Sequence, residues 1–328
     1  LVIELVFRGG VACFSPITSE KIRNYQDMAA PGMDPTIEVE PHPYMVYTFS
    51  PEVPGVNSWG FSYDETIAFS KSPGTTRILA LGGSTTAGPE SWPFHLGEVL
   101  REQRPGGQFE ILNFGTGGWT SAESMVAFVT LGQSYQPDIV IVHHAVNDLD
   151  PLMREGFRPD YAHFRKPIAL ERDELENLKV KNQLAFFFDS AFTRVSWLYT
   201  WSRIQVSGEE PSMYTLHNLS IHPADEGLVP PEQVAQNADV FLRNLRTIGV
   251  VTEGFGGDVL LATLPFRKSM GAEGPAGGHN PWAPMIAEQN DRVVELGRAQ
   301  GWAVAELHDT MGGMDEARYE DQVHLDQQ

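Results

Sequence analysis

Residues 77–92 read RILALGGSTTAGPESW. An apolar run, Ile78 to Leu81, closes on Gly82-Gly83, and Ser84, Thr85 and Thr86 follow at once. A run without polar alternation suits a strand buried on both faces of a parallel sheet, and the glycine pair suits a tight turn at its end. Ser84 in that turn either caps the following helix or is held out as a nucleophile. The spacing of Phe94, Leu96, Val99 and Leu100 in ESWPFHLGEVLREQ predicts that helix over 90–103.

The same rhythm recurs outward from this stretch. QFEILNFG (108–115), PDIVIVHHAVND (137–148), GDVLLATLPF (257–266) and WAVAEL (302–307) read as further strands. Helical segments lie between them at 120–135, 231–249 and 281–301, the first opened by Thr120 or Ser121 with Glu123 in capping position. Strands alternating with helices imply an α/β fold, a three-layer αβα build around a central parallel sheet of about five strands. Residues 1–76 read as an irregular N-terminal arm, rich in Pro, Ser and Gly from residue 14, and 77–328 as the α/β domain. Residues 149–229 interrupt the rhythm as an insertion. Within it, 182–206 reads as a strongly aromatic helix that either packs into a core or forms a substrate-side lid.

Composition narrows the function. The 328 residues carry a formal net charge of −20, which argues against nucleic acid or an anionic membrane as partner. Cys13 is the single cysteine, so no disulfide forms within the chain. No stretch has the roughly 18–20 apolar residues of a membrane-spanning helix. The apolar opening LVIELVFRGG suggests the end of an anchor or signal segment.

Parallel sheets bind ligands beyond the carboxyl ends of their strands. Those ends carry Gly82-Gly83-Ser84-Thr85, Asn113 to Gly118, and Asn147-Asp148; EDQVHLD, with Asp321 and His324, follows the last strand. A serine hydroxyl needs an adjacent base, and the base needs an orienting partner, so Ser84, His324 and Asp321 fit acyl transfer. Asp326 is a second candidate orienter. Backbone N–H groups of Ser84 and Gly118 and the Asn147 amide are candidate oxyanion donors, with a helix dipole behind Ser84. A nucleophile elbow is excluded because position 86 is Thr, and a P-loop because no Gly-Lys follows the glycines.

The order Ser84, Gly118, Asn147, Asp321-His324 resembles the SGNH hydrolase superfamily, the GDSL-like lipases and acylhydrolases. The likeness covers 77–148 and 258–325, and NSWGFSYDE (57–65) resembles bacterial members with an N-terminal extension. It implies a flavodoxin-like fold, Ser84 as nucleophile, Gly118 and Asn147 as oxyanion-hole residues, His324 as base with Asp321 as its partner, and neither cofactor nor metal. Three departures stand out: Gly83 replaces the family's Asp, Ala145 replaces a Gly, and the chain stops four residues after His324 where relatives continue into a closing helix. The last suggests a truncated chain and a more mobile His324.

The expected activity is hydrolysis of carboxylic esters, short acyl or O-acetyl esters, with a small-molecule or carbohydrate ester as substrate. Lipase, thioesterase or acyltransferase chemistry on the same residues is the alternative, and a catalytically degenerate glycan-binding module is the rival from another class. Trp119, His144 and Arg158 are candidate substrate contacts; His163 and Arg165 lie in the same FRPDYAHFR stretch as Arg158. An extracytoplasmic location follows from the apolar start and from family habit.

Overall fold

The computed structural model describes residues 39–51, 53–165, 196–207, 229–266 and 283–311, with Glu4, Phe7, Arg8, Ile22 and Phe192 besides. In chain order the described elements are β1 (Val39–His42), β2 (Val46–Phe49), β3 (Thr75–Gly82), α1 (Trp92–Gln103), β4 (Gln108–Asn113), α2 (Ser121–Thr130), a 3-10 turn (Gly132–Tyr135), β5 (Ile139–His143) and α3 (Val146–Met153). They continue with α4 (Trp197–Ser207), α5 (Pro231–Asn237), α6 (Asp239–Gly254), β6 (Asp258–Ala262), α7 (Ala283–Gln300), β7 (Ala303–Ala305) and α8 (Leu307–Met311).

The chain forms two compact units, residues 1–40 with 168–221, and residues 41–167 with 222–328. In the first, the Glu4 carboxylate accepts from Ser196 Oγ at 2.8 Å and from the Trp197 N–H at 2.5 Å, capping the start of α4. Burial would raise the Glu4 pKa, but these bonds and the Arg8 partner prevail and hold it down to about 2. α4 is the described part of the aromatic stretch 182–206. Its Trp201 meets Phe7 at 5.8 Å. Apart from Phe192, residues 182–195 lie outside the described ones, and with them the choice between lid and core.

The second unit holds all five expected strands. They pair in parallel in the order β4-β3-β5-β6-β7. Numbered by appearance in this sheet, that is 2-1-3-4-5, the doubly wound order, which reverses direction between β3 and β5. Ile78, Ile141 and Ala262 form a core on one face, packed against Trp92, Leu96 and Leu100 of α1. Leu79, Leu81, Leu112, Val140 and Leu261 are fully buried too, each contributing about 1.5–3 kcal/mol over an exposed state. Leu79 approaches Gly132 and Leu261 approaches Gly297 of α7 on the opposite face, completing three layers.

Residues 41–76, the later part of the irregular arm, belong to this unit. β1 and β2 form a small two-stranded sheet there, and Phe61 stacks on Phe114 at 4.2 Å. Arg77 of β3 is fully buried because every part of its guanidinium is used. Nε donates to Glu110 at 2.6 Å, and Nη1 and Nη2 donate to the Phe69 and Ala68 carbonyls at 2.9 Å each. A charged fork on backbone carbonyls thus ties 68–69 to the start of the central strand.

Candidate active site

The turn after β3 is tight and stands apart from any helix. Thr86 N–H and Ala87 N–H both donate to the Gly83 carbonyl at 3.0 Å, one isolated helical turn. α1 begins only at Trp92, behind Ser91. The expected helix dipole behind Ser84 is therefore corrected: Gly88 and Pro89 separate the serine turn from α1, and Ser84 draws on the single turn alone.

Thr86 explains why a nucleophile elbow glycine is unnecessary. Its side chain is fully buried, with Oγ1 against Trp92 Nε1 at 3.2 Å and His143 Nδ1 at 3.3 Å. A β-carbon on Gly82 would fall 2.0 Å from that hydroxyl, so Gly82 is required there. Asn113 at the end of β4 donates to the Thr86 and Gly88 carbonyls at 2.9 and 3.0 Å and accepts from Gly115 N–H at 2.8 Å. Thr116 N–H reaches the Gly82 carbonyl at 3.2 Å. The loops after β3 and β4 are laced together by these bonds.

The third strand end closes the group. Asn147 lies in the first turn of α3, and its Nδ2 donates to the Trp119 carbonyl at 2.8 Å. A β-carbon on Gly83 would lie 2.3 Å from Nδ2 and 3.2 Å from the Trp119 carbonyl. A side chain at position 83 would therefore have to displace the Asn147 amide. The backbone beside Ser84, the Gly118–Trp119 turn and the Asn147 amide meet at the switch point of the sheet. A primary amide has two N–H donors, so Asn147 can give one to Trp119 and offer the other.

A buried polar layer supports the meeting point. Asp148 accepts from Ser121 N–H at 2.9 Å, Ser121 Oγ at 2.5 Å and Tyr161 Oη at 3.1 Å, tying α3 to the start of α2. Burial outweighs those bonds and pushes its carboxyl up to about 7. Thr120 is the N-cap of α2, in a capping box with Glu123 as expected. Glu123 pairs with Arg165 at 2.7 Å, both nearly fully buried, and Arg165 Nη2 donates to the Gly118 carbonyl at 2.8 Å. Burial would raise the Glu123 pKa, yet the Arg165 charge and the Thr120 bonds keep it lowered.

The three expected substrate contacts differ in their exposure. Trp119 is fully buried: its indole donates to the Tyr47 carbonyl at 3.0 Å and packs edge-on against Phe61, leaving no face for a ligand. His144 is buried with Nε2 on Ser124 Oγ at 2.8 Å, and burial drives its pKa down to about 3. Arg158 is exposed and pairs with Asp160 at 3.0 Å within its own turn. Sequence pattern missed Tyr47; it noted Thr86, Asn113 and Asp148 at or near strand ends without giving them a part in the site. Asp321, His324 and Asp326 lie outside the described residues. Among the described residues no group of three His, Cys, Asp or Glu could hold a metal ion, and no helix is long and apolar enough to cross a membrane.

Among solved structures, a Bacteroides fragilis protein assigned as an acylhydrolase is similar at a TM-score of 0.40 and 14% identity, over 77% of this chain and 79% of that one. An acetylxylan esterase from Geobacillus stearothermophilus is similar at a TM-score of 0.42 and 11% identity, over 76% and 87%. No curated protein matches the chain. The model of the GDSL-like lipase/acylhydrolase family matches residues 80–328. The chain belongs to that family and is an ester-bond hydrolase.

Proposed function

We propose that this hydrolase is a serine esterase for short acyl or O-acetyl esters, on small molecules or carbohydrates. Ser84 Oγ attacks the ester carbonyl carbon while His324, oriented by Asp321, takes the hydroxyl proton. The carbonyl oxygen becomes an oxyanion facing the N–H groups of Ser84 and Gly118 and the Asn147 amide. His324 returns the proton to the departing alcohol. Water then repeats the sequence on the acyl-enzyme and frees the acid.

The observation that carries this reading is the contact of Gly83 with the Asn147 amide, within reach of the Trp119 carbonyl. It brings the candidate nucleophile turn and two candidate donors to one sheet edge. The test is turnover of p-nitrophenyl esters from acetate to palmitate by the wild type, Ser84→Ala and His324→Ala. A loss of about 10³-fold or more in both variants, with an optimum at short chains, is expected. Undiminished turnover in Ser84→Ala would end the serine reading, and an optimum at palmitate would make the enzyme a lipase. No turnover, with no labelling of Ser84 by a serine-directed phosphonate, would leave a binding module.

A further inference from the structure

The candidate oxyanion donor at Gly118 belongs to a glycine pair. Gly117 and Gly118 are adjacent, and Gly118 sits at φ +73°, a region that glycine enters freely. A peptide between two glycines can turn over with little steric resistance, and its N–H would then point away from the substrate. Something must choose the orientation.

The peptide after Gly118 is held at both ends. Arg165 Nη2 donates to its carbonyl at 2.8 Å, and its N–H, that of Trp119, donates to the Thr116 carbonyl at 3.1 Å. The peptide before Gly118 is held differently. The Gly117 carbonyl accepts from Tyr47 Oη at 2.9 Å. The hydrogen bonds among the described residues leave the Gly118 N–H unused. A trans peptide is planar with C=O and N–H antiparallel, so fixing the oxygen fixes the direction of the N–H. A donor on the carbonyl also polarises the amide and strengthens that N–H as a donor.

We propose that Tyr47 is a positioning residue of the oxyanion hole, acting through the Gly117–Gly118 peptide. The inference rests on the serine-esterase reading. Tyr47 lies in β2, outside the family-matched residues 80–328, so a segment ahead of the matched region sets a part of the site within it. The residue is itself firmly placed. It is fully buried, its carbonyl accepts the Trp119 indole N–H at 3.0 Å, and its ring lies edge-on to Trp119 and 5.9 Å from the Arg165 guanidinium. Burial raises the phenol pKa above its ordinary value, so the hydroxyl keeps the proton it donates.

Tyr47→Phe removes the hydroxyl and leaves the ring. Removing an oxyanion donor outright costs about 10²–10³ in kcat, so loosening one donor is expected to lower kcat about tenfold with KM within twofold. Inactivation by an alkyl p-nitrophenyl phosphonate, whose phosphoryl oxygen needs the same donors, should slow by the same factor. Tyr63→Phe is the control: it deletes a buried hydroxyl that meets Tyr135 Oη at 2.8 Å, away from the turn, and should lose comparable stability with kcat kept. Tyr47→Phe with kcat within twofold of wild type, or with kcat no lower than in Tyr63→Phe at equal Tm, overturns the inference. Ser84→Ala in the same assay separates the two claims. If Ser84→Ala is dead and Tyr47→Phe is unimpaired, only the positioning role fails; if Ser84→Ala turns over, the serine reading fails and the role with it.

Discussion

The α-carbon of Gly83 faces the Asn147 amide so closely that a β-carbon there would stand 2.3 Å from Nδ2. The obstructing atom is the tip of a side chain, so an alanine at 83 is accommodated by displacing Asn147. Gly83→Ala is therefore expected to cost only about 1–3 kcal/mol in stability while lowering kcat about 10²-fold, as for loss of a donor. Thermal denaturation beside ester turnover checks this; a variant with Tm depressed and kcat intact would show that Asn147 serves packing alone.

The Glu123–Arg165 pair joins the cap of α2 to the Gly118 carbonyl out of contact with water. Removing one member strands the other charge, so Arg165→Met is expected to cost about 3–5 kcal/mol. Glu123→Gln combined with Arg165→Met should cost less than the sum of the single changes. Urea denaturation of the three variants measures the coupling.

Stability should fall in mild acid. His143 and His144 are buried, which pushes their pKa values down to about 4 and about 3 from an ordinary 6.5. Below pH 6.5 the unfolded chain binds protons that the folded chain refuses, so stability present above 6.5 is lost toward pH 3. Asp148 opposes this. Its folded pKa is raised to about 7 from 3.8, so its contribution declines as pH rises between those values. Two histidines outweigh one carboxyl, and Tm should rise from pH 4 to 6.5. His144→Gln, which retains a partner for Ser124, should flatten that rise, and Asp148→Asn should steepen it. A Tm series in buffers of constant ionic strength reads both signs.

Trp119 follows Gly118 and is walled in by Tyr47 and Phe61. Trp119→Ala should cost about 3–5 kcal/mol. Trp119→Phe, which loses the indole bond to Tyr47, should cost about 1 kcal/mol. KM should stay unchanged in Trp119→Phe, because the ring meets no substrate; a several-fold rise would place the ring in the binding surface.

The strands were legible as short, mostly apolar runs alternating with helical spacing, a pattern that a doubly covered parallel sheet demands. The capping box at Thr120 was legible for a similarly local reason. The hairpin of β1 and β2 was not, since each strand has only four residues and β1 carries Glu40 and Pro41. The burial of Trp119 and His144 was not legible, because adjacency to a strand end does not say which way a side chain turns. Tyr47 and Arg165 act on the Gly117–Gly118 turn from 70 and 47 residues away, a relation that only the folded chain creates.

The order β4-β3-β5-β6-β7 also fixes how the sheet can be laid down during synthesis. β3 emerges first, β4 joins one side and β5 the other; β6 and β7 then add outward from β5. No later strand has to wedge between two already paired. The turn that carries Ser84 and the candidate oxyanion donors lie within residues 83–147 and draw only on the first three strands. That meeting of three strand ends can be assembled on the ribosome before β6 and β7 are translated, so it needs only part of the finished sheet.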